Sequence, residues 1–192
     1  MKEYKREFPL FSLCGLNCGL CPRFHTEGGS RCPGCGGGDF YCKRGGAGCP
    51  VITCSRKHNN VEFCFECGDY PCERYIGRDN TGDSFITYKN VLRDCDKAKT
   101  IGISAYKAEL DEKAEILRFL LKECNDGRRK NFYCIAVNLL ELSDIRKIMN
   151  YINTRIALQD ILLKEKIKMV VEQFEKKAAE KDIVLKLRKG KA

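Results

Sequence analysis

Eleven of the chain's fourteen cysteines fall between Cys14 and Cys72, in a segment that also holds glycine clusters at 28–29, 36–38 and 45–46. Such a segment carries little periodic apolar surface. Ordering each residue costs roughly 1–2 kcal/mol of backbone entropy, so disulfides or metal must supply what a core does not. The opening residues include Lys2, Lys5 and Arg6, but their apolar stretch is short and broken by Pro9, unlike an export signal. A cytoplasmic location is therefore expected. Thiols kept reduced at short spacing point to metal rather than to a disulfide scaffold.

Three Cys-x-x-Cys pairs stand out, Cys18–Cys21, Cys32–Cys35 and Cys64–Cys67. Gly36 and Gly68 trail the second and third, and a glycine at positive φ would let backbone N–H groups turn toward the thiolates and disperse their charge. These read as zinc-knuckle turns for tetrahedral four-sulfur coordination, although spacing alone does not separate zinc from iron. Cys14, Cys18 and Cys21 follow x3 then x2 spacing before Pro22, which can also meet three irons of a cubane. The same spacing occurs in radical S-adenosylmethionine enzymes, but those need many alternating strands and helices, a pattern absent here. Cys49 and Cys54, in CPVITC, and Cys72 complete the candidate ligand set of Cys14, Cys18, Cys21, Cys32, Cys35, Cys49, Cys54, Cys64, Cys67 and Cys72. Eleven thiols make two four-thiolate sites with three left over, or three sites one ligand short. His25 or His58 could be that ligand; Cys42 is unassigned. The expected cofactor is zinc, two or three ions, with an iron–sulfur cluster as the alternative.

The ordered strings CGLNCGLCP, CPGC, CPVITC and FCFECGDYPCE, followed by GDSF and Cys95, resemble the cysteine-rich family known as domain of unknown function 3795 over about residues 12–96. The string from Asn125 to Cys134 resembles a segment of longer members. The resemblance implies a metal-binding module, presumed to hold zinc. Cys14, Cys18, Cys32, Cys35, Cys49, Cys54, Cys64, Cys67 and Cys72 occupy its motif positions, with Cys21 alongside. It implies no activity.

Beyond about residue 105 the periodicity turns helical. Leu117, Leu120, Leu121 and Cys124 share one face of a helix ended by Asn125-Asp126-Gly127. An apolar segment from Phe132 to Leu142 follows. Ser143-Asp144 reads as the N-cap of a helix striped by Ile145, Ile148, Met149 and Ile152. Residues 155–181 form another, striped by Leu163, Ile167, Val170 and Phe174, before a basic tail. The predicted fold class is a small metal-stabilised α+β protein: a cysteine-rich zinc-knuckle module over 1–100 and a helical region of about four helices over 101–192. Cys134 could be a late ligand or a core residue, and Cys95 is unassigned.

The formal charge of +9 treats every thiol as neutral. Two four-thiolate zinc sites would lower it by about four. Residues 1–100 contain 15 basic and 12 acidic side chains and residues 101–192 contain 20 and 14, so the excess lies mainly in the second half. Those basic helices make nucleic acid a further candidate partner. Arg128, Arg129 and Lys130, at a helix end with the next N-terminus close behind, form a candidate anion site. No apolar run of about 18 residues suggests a membrane span. Neither G-x-S-x-G nor a P-loop occurs, and there are only two histidines. The expectation is a non-enzymatic metal-binding protein acting as a binding or regulatory module, with a protein partner. The alternative is an iron–sulfur protein in redox or electron transfer, or a cluster-bearing enzyme subunit.

Overall fold

Pro50 opens the first of the described α-helices because its fixed φ suits the first helical position and its missing N–H would have no partner there. The computed structural model describes residues 6–36, 49–76, 82–157 and 162–189. Among them are six α-helices: α1 (Pro50–Lys57), α2 (Val91–Ile101), α3 (Ile103–Glu123), α4 (Lys130–Leu139), α5 (Leu142–Ala157) and α6 (Leu163–Ala179). Short 3-10 turns lie at Cys18–Leu20, Gly28–Ser30 and Cys64–Glu66. The described residues contain no strand, so the expected α+β class is corrected to a helical one. In the cysteine-rich segment, turns and helix ends take up the backbone groups that a ladder would have paired. No helix among the described residues is long and apolar enough to cross a membrane.

The chain divides into two compact units, Met1–Leu110 with Arg188–Ala192, and Asp111–Leu187. The first has an apolar centre of its own. Phe11, fully buried, packs its ring 5.5 Å from Phe63 and 4.8 Å from Tyr106, and Phe63 stacks on Phe65 at 5.2 Å. Fully burying such side chains contributes roughly 1.5–3 kcal/mol each. This core was not legible in the sequence, because Phe11, Phe63 and Tyr106 come from segments far apart.

Helix α2 also went unforeseen. Its inner face is Val91, Asp94, Cys95 and Ala98, so a carboxylate interrupts the apolar stripe. Asp94 Oδ2 accepts from the side-chain amide of Asn17 at 2.7 Å and from that of Asn90, and Tyr106 Oη donates to Asn17 Oδ1 at 3.0 Å. A buried carboxylate is tolerated when its acceptors are filled in this way.

The second unit carries the predicted helical stripes. Leu117, Leu120 and Cys124 are fully buried, and α5 buries Ile145, Ile148, Met149 and Ile152. Helix α6 buries Ile167, Val170 and Phe174, whereas Leu163, at its first position, is 52% exposed. Ser143 lies inside α5 rather than capping it. The Glu141 carbonyl instead accepts from the N–H groups of Asp144 and Ile145. Two side chains close helix C-termini: Lys113 Nζ donates to the Leu140 carbonyl at 2.8 Å, and Tyr133 Oη to that of Cys124 at 2.7 Å.

Candidate metal centre

The stretch from Pro9 to Leu16 is the rack on which the cysteine loops hang. Its carbonyls accept from three of them: Pro9 from the Cys35 N–H at 2.9 Å, Leu10 from that of Gly19 at 2.9 Å, and Leu13 from that of Cys64 at 2.8 Å. Ser12 folds the rack back on itself, its Oγ accepting from the Leu16 N–H at 2.7 Å and its N–H donating to Leu16 O at 2.8 Å. The buried Arg6 guanidinium ties the rack to a distant loop, with Nη2 3.0 Å from Phe11 O and 3.1 Å from Glu62 Oε1, and Nη1 on Glu62 O. Long-range backbone bonds thus gather thiols that lie up to fifty residues apart.

Within two of the loops the turn type aligns the sulfurs. Cys18–Leu20 and Cys64–Glu66 are 3-10 turns, closed by Cys21 N–H on Cys18 O and Cys67 N–H on Cys64 O, both at 3.1 Å. Three residues per turn bring positions i and i+3 onto one side, so each Cys-x-x-Cys presents both thiols together. Leu20 and Phe65, between the cysteines, are buried. Cys32 is held to the first loop by its N–H on Arg23 O at 3.0 Å. Gly36 has φ +79°, as its place behind Cys35 suggests, but Gly68 is not in the positive-φ region. Its turn is closed by Tyr70 N–H on Cys67 O, which an ordinary backbone angle allows.

Two thiol groups result. In the first, burial pushes the Cys18 thiol well up, and negative charge on Cys35, Cys14, Cys21 and Cys32 pushes it further. Burial raises Cys21 as well, while the backbone N–H groups of Arg23 and Phe24 oppose the shift and Cys32 adds to it. Cys18, Cys21, Cys32 and Cys35 therefore share one neighbourhood, with Cys14 at its edge, in which a cation would favour the ionised form of Cys18 and Cys21.

The second group centres on Cys64, which burial pushes up to about 11 beside the Tyr75 side chain, with Cys14, Cys72 and Cys54 as neighbours. Cys95 joins it from α2, raised by burial and then by Cys14, while the Tyr70 hydroxyl bonds to it. Cys14 Sγ lies 3.2 Å from Ser12 Oγ. A cavity beside this group is lined by Cys54, His58, Cys64, Cys67, Cys72 and Tyr75, among others.

Cys49 precedes α1 and packs on the cluster of Leu13, Cys35 and Val51. Cys42 lies outside the described residues. Cys124 and Cys134 are buried in the second unit, at the end of α3 and within α4. His25 Nε2 is 2.8 Å from Gly19 O. His58 stands at the end of α1 beside Cys67 and Asp69. Arg128 and Arg129 are exposed and Lys130 is half-buried. In their turn the N–H groups of Gly127 and Arg129 go to Asn125 Oδ1 and that of Arg128 to Asp126 Oδ1. Sequence reasoning missed Tyr70, Tyr75, Asp69 and the approach of Cys95. The last had one signal, a cysteine on the same helical face as Val91 and Ala98.

The sulfurs meet in the part of the chain where the family resemblance lies. Residues 10–77 match the family described as "Protein of unknown function (DUF3795)". That span holds all ten candidate cysteine ligands and stops short of Cys95, so the match is narrower than the 12–96 resemblance read from the motifs. No curated protein and no solved structure matches the chain.

Proposed function

We propose that residues 10–77 are a metal-binding module whose principal centre is Cys18, Cys21, Cys32 and Cys35, holding zinc in a structural role. The observation that carries the reading is the convergence of two cysteine loops: the Gly19 and Cys35 N–H groups bond to the neighbouring carbonyls of Leu10 and Pro9 and the Cys32 N–H bonds to Arg23 O, so that the half-buried Cys18 thiol has Cys35, Cys14, Cys21 and Cys32 as its electrostatic neighbours. Two Cys-x-x-Cys segments hung from one rack supply a four-sulfur donor set suited to zinc or iron. A bound ion would compensate the thiolate charges and fasten the two loops together. Cys14, Cys54, Cys64 and Cys72 supply donors for a second ion. A closed four-thiolate site has no position for substrate, so the protein acts as a binding or regulatory module toward a protein partner in the reducing cytoplasm.

Protein purified without oxygen should be colourless and contain zinc, and Cys18→Ser should lose one tightly held ion. A brown preparation absorbing near 400 nm would replace zinc with an iron–sulfur cluster. Unchanged metal content in the variant would remove this centre from the account.

A further inference from the structure

A set of unlike donors converges away from the Cys18 group. His58 follows α1, one helical turn beyond Cys54, and its Nδ1 lies 2.9 Å from the Cys54 carbonyl oxygen. A carbonyl only accepts, so Nδ1 carries the ring hydrogen and Nε2 of the neutral ring presents a lone pair. That Nε2 is 3.2 Å from Asp69 Oδ2. One donor atom each of His58, Cys67 and Asp69 lie within 4.8 Å of one another. The turn closed by Tyr70 N–H on Cys67 O puts Cys67 and Asp69 on the same short loop.

A lone pair and a carboxylate oxygen 3.2 Å apart repel one another unless a proton or a cation lies between them, and the Cys67 sulfur adds a soft donor at the same place. A proton on Nε2 would answer the His58–Asp69 pair alone, whereas a metal ion answers all three. From this geometry we propose that His58, Cys67 and Asp69 form a solvent-facing, exchangeable site for a divalent cation of the zinc type, with one coordination position left to water.

The chemistry of each donor agrees. A ligating histidine ordinarily gives its other N–H to a carbonyl or carboxylate, which fixes the ring and raises its basicity; the Cys54 carbonyl does this here. One nitrogen, one sulfur and one oxygen suit a borderline ion such as Zn2+. Cys54 Sγ is 3.7 Å from Nδ1, at the ring nitrogen directed away from Asp69, so it is not a fourth donor. The side chains of His58 and Asp69 are 38% and 70% exposed, which opens the ion to water and to chelators. Three protein donors leave a vacancy that a closed four-thiolate site lacks. The site goes beyond the structural-zinc reading and does not depend on it, since none of its donors belongs to the Cys18 group.

The test is titration of the full chain with Co2+ without oxygen. A one-thiolate ion gives much weaker sulfur-to-cobalt charge transfer than a four-thiolate one, so the two equivalents separate in the near-ultraviolet. Wild type should take up a weaker, chelator-labile equivalent with that faint spectrum. His58→Gln should weaken its binding by 100-fold or more and Asp69→Asn by 10-fold or more, as loss of a ligand should exceed the roughly 10–100-fold lost with a supporting partner. Cys18→Ser should leave it in place. Should both variants keep wild-type helical circular dichroism and bind this equivalent as tightly as wild type, the inference falls while the Cys18 centre stands. Loss of helical signal in His58→Gln would make Asp69→Asn, exposed and outside any helix, the deciding variant. If Cys18→Ser removed no ion while both other variants did, the structural-zinc reading would fail and this one would stand.

Discussion

Replacing Gly15 with alanine tests the rack directly. Gly15 sits at φ +86°, and a Cβ there would lie 2.3 Å from Cys95 Sγ and 3.0 Å from Val91 Cγ1. The backbone penalty for a non-glycine residue at such an angle is about 1–2 kcal/mol. Ordinary contact needs ~3.5 Å, so Cys95 would have to retreat by about 1 Å from a position set by α2, and overpacking of that kind costs about 1–3 kcal/mol. The expected loss is therefore ~2–5 kcal/mol, a large part of a typical domain's whole stability of about 5–15 kcal/mol. Gly28→Ala is the control: φ is +76° with nothing within 4 Å of the added carbon, so it isolates the backbone penalty. Hydrogen exchange at the Gly19, Cys35 and Cys64 amides, all bonded to rack carbonyls, reads the opening free energy of this unit. Exchange in Gly15→Ala should be faster by about 30-fold or more, since each factor of ten is ~1.4 kcal/mol. Equal protection in the two alanine variants would refute the packing of Cys95 against the rack.

The other predictions concern separate links. Asp94→Ala should destabilise the first unit by about 2–4 kcal/mol, because it leaves the amides of Asn17 and Asn90 without their acceptor; urea unfolding checks this, and a change under 0.5 kcal/mol would contradict it. Tyr133→Phe should cost roughly 1–2 kcal/mol in the second unit through loss of the bond to Cys124 O, with metal content unchanged by elemental analysis. Burial raises the Asp83 carboxyl, but the side chain and N–H of Arg188 outweigh it, aided by Tyr88 N–H and Thr87, and hold it below the usual 3.8. Because the folded value is the lower one, its stabilising contribution is complete above about pH 4 and lost as pH falls through the folded value. Carboxyl-carbon NMR should show Asp83 titrating below 3.8 and moving up toward it in Arg188→Ala; a normal wild-type titration would contradict this.

Local regularities were legible in the sequence; long-range closures were not. Leu117, Leu120 and Cys124, or Ile145, Ile148 and Ile152, announce their faces because 3.6-residue spacing is visible in one stretch of chain. The thiol pairs are legible for the same reason, since i, i+3 spacing and a tight turn suffice to align Cys18 with Cys21. Strands were expected as part of a mixed fold, whereas the described residues pair their backbone in turns. The approach of Cys64 to Cys14 is set by long-range contacts, the Cys64 N–H on Leu13 O and the Arg6 bridge to Glu62, for which no local pattern exists. Helix α2 was concealed by Asp94, whose burial is acceptable because Asn17 arrives from a distant segment to join Asn90, the residue before the helix. The approach of His58 to Asp69 likewise requires the end of α1 and the Cys67 turn to be placed first.

X-ray absorption at the metal edge of native protein isolated without oxygen addresses the central claim most directly. The account predicts zinc with sulfur neighbours at about 2.3 Å, and loss of a sulfur-only component in Cys18→Ser. Well-folded protein that contains no metal, with Cys18, Cys21, Cys32 and Cys35 free or joined in disulfides, would contradict it.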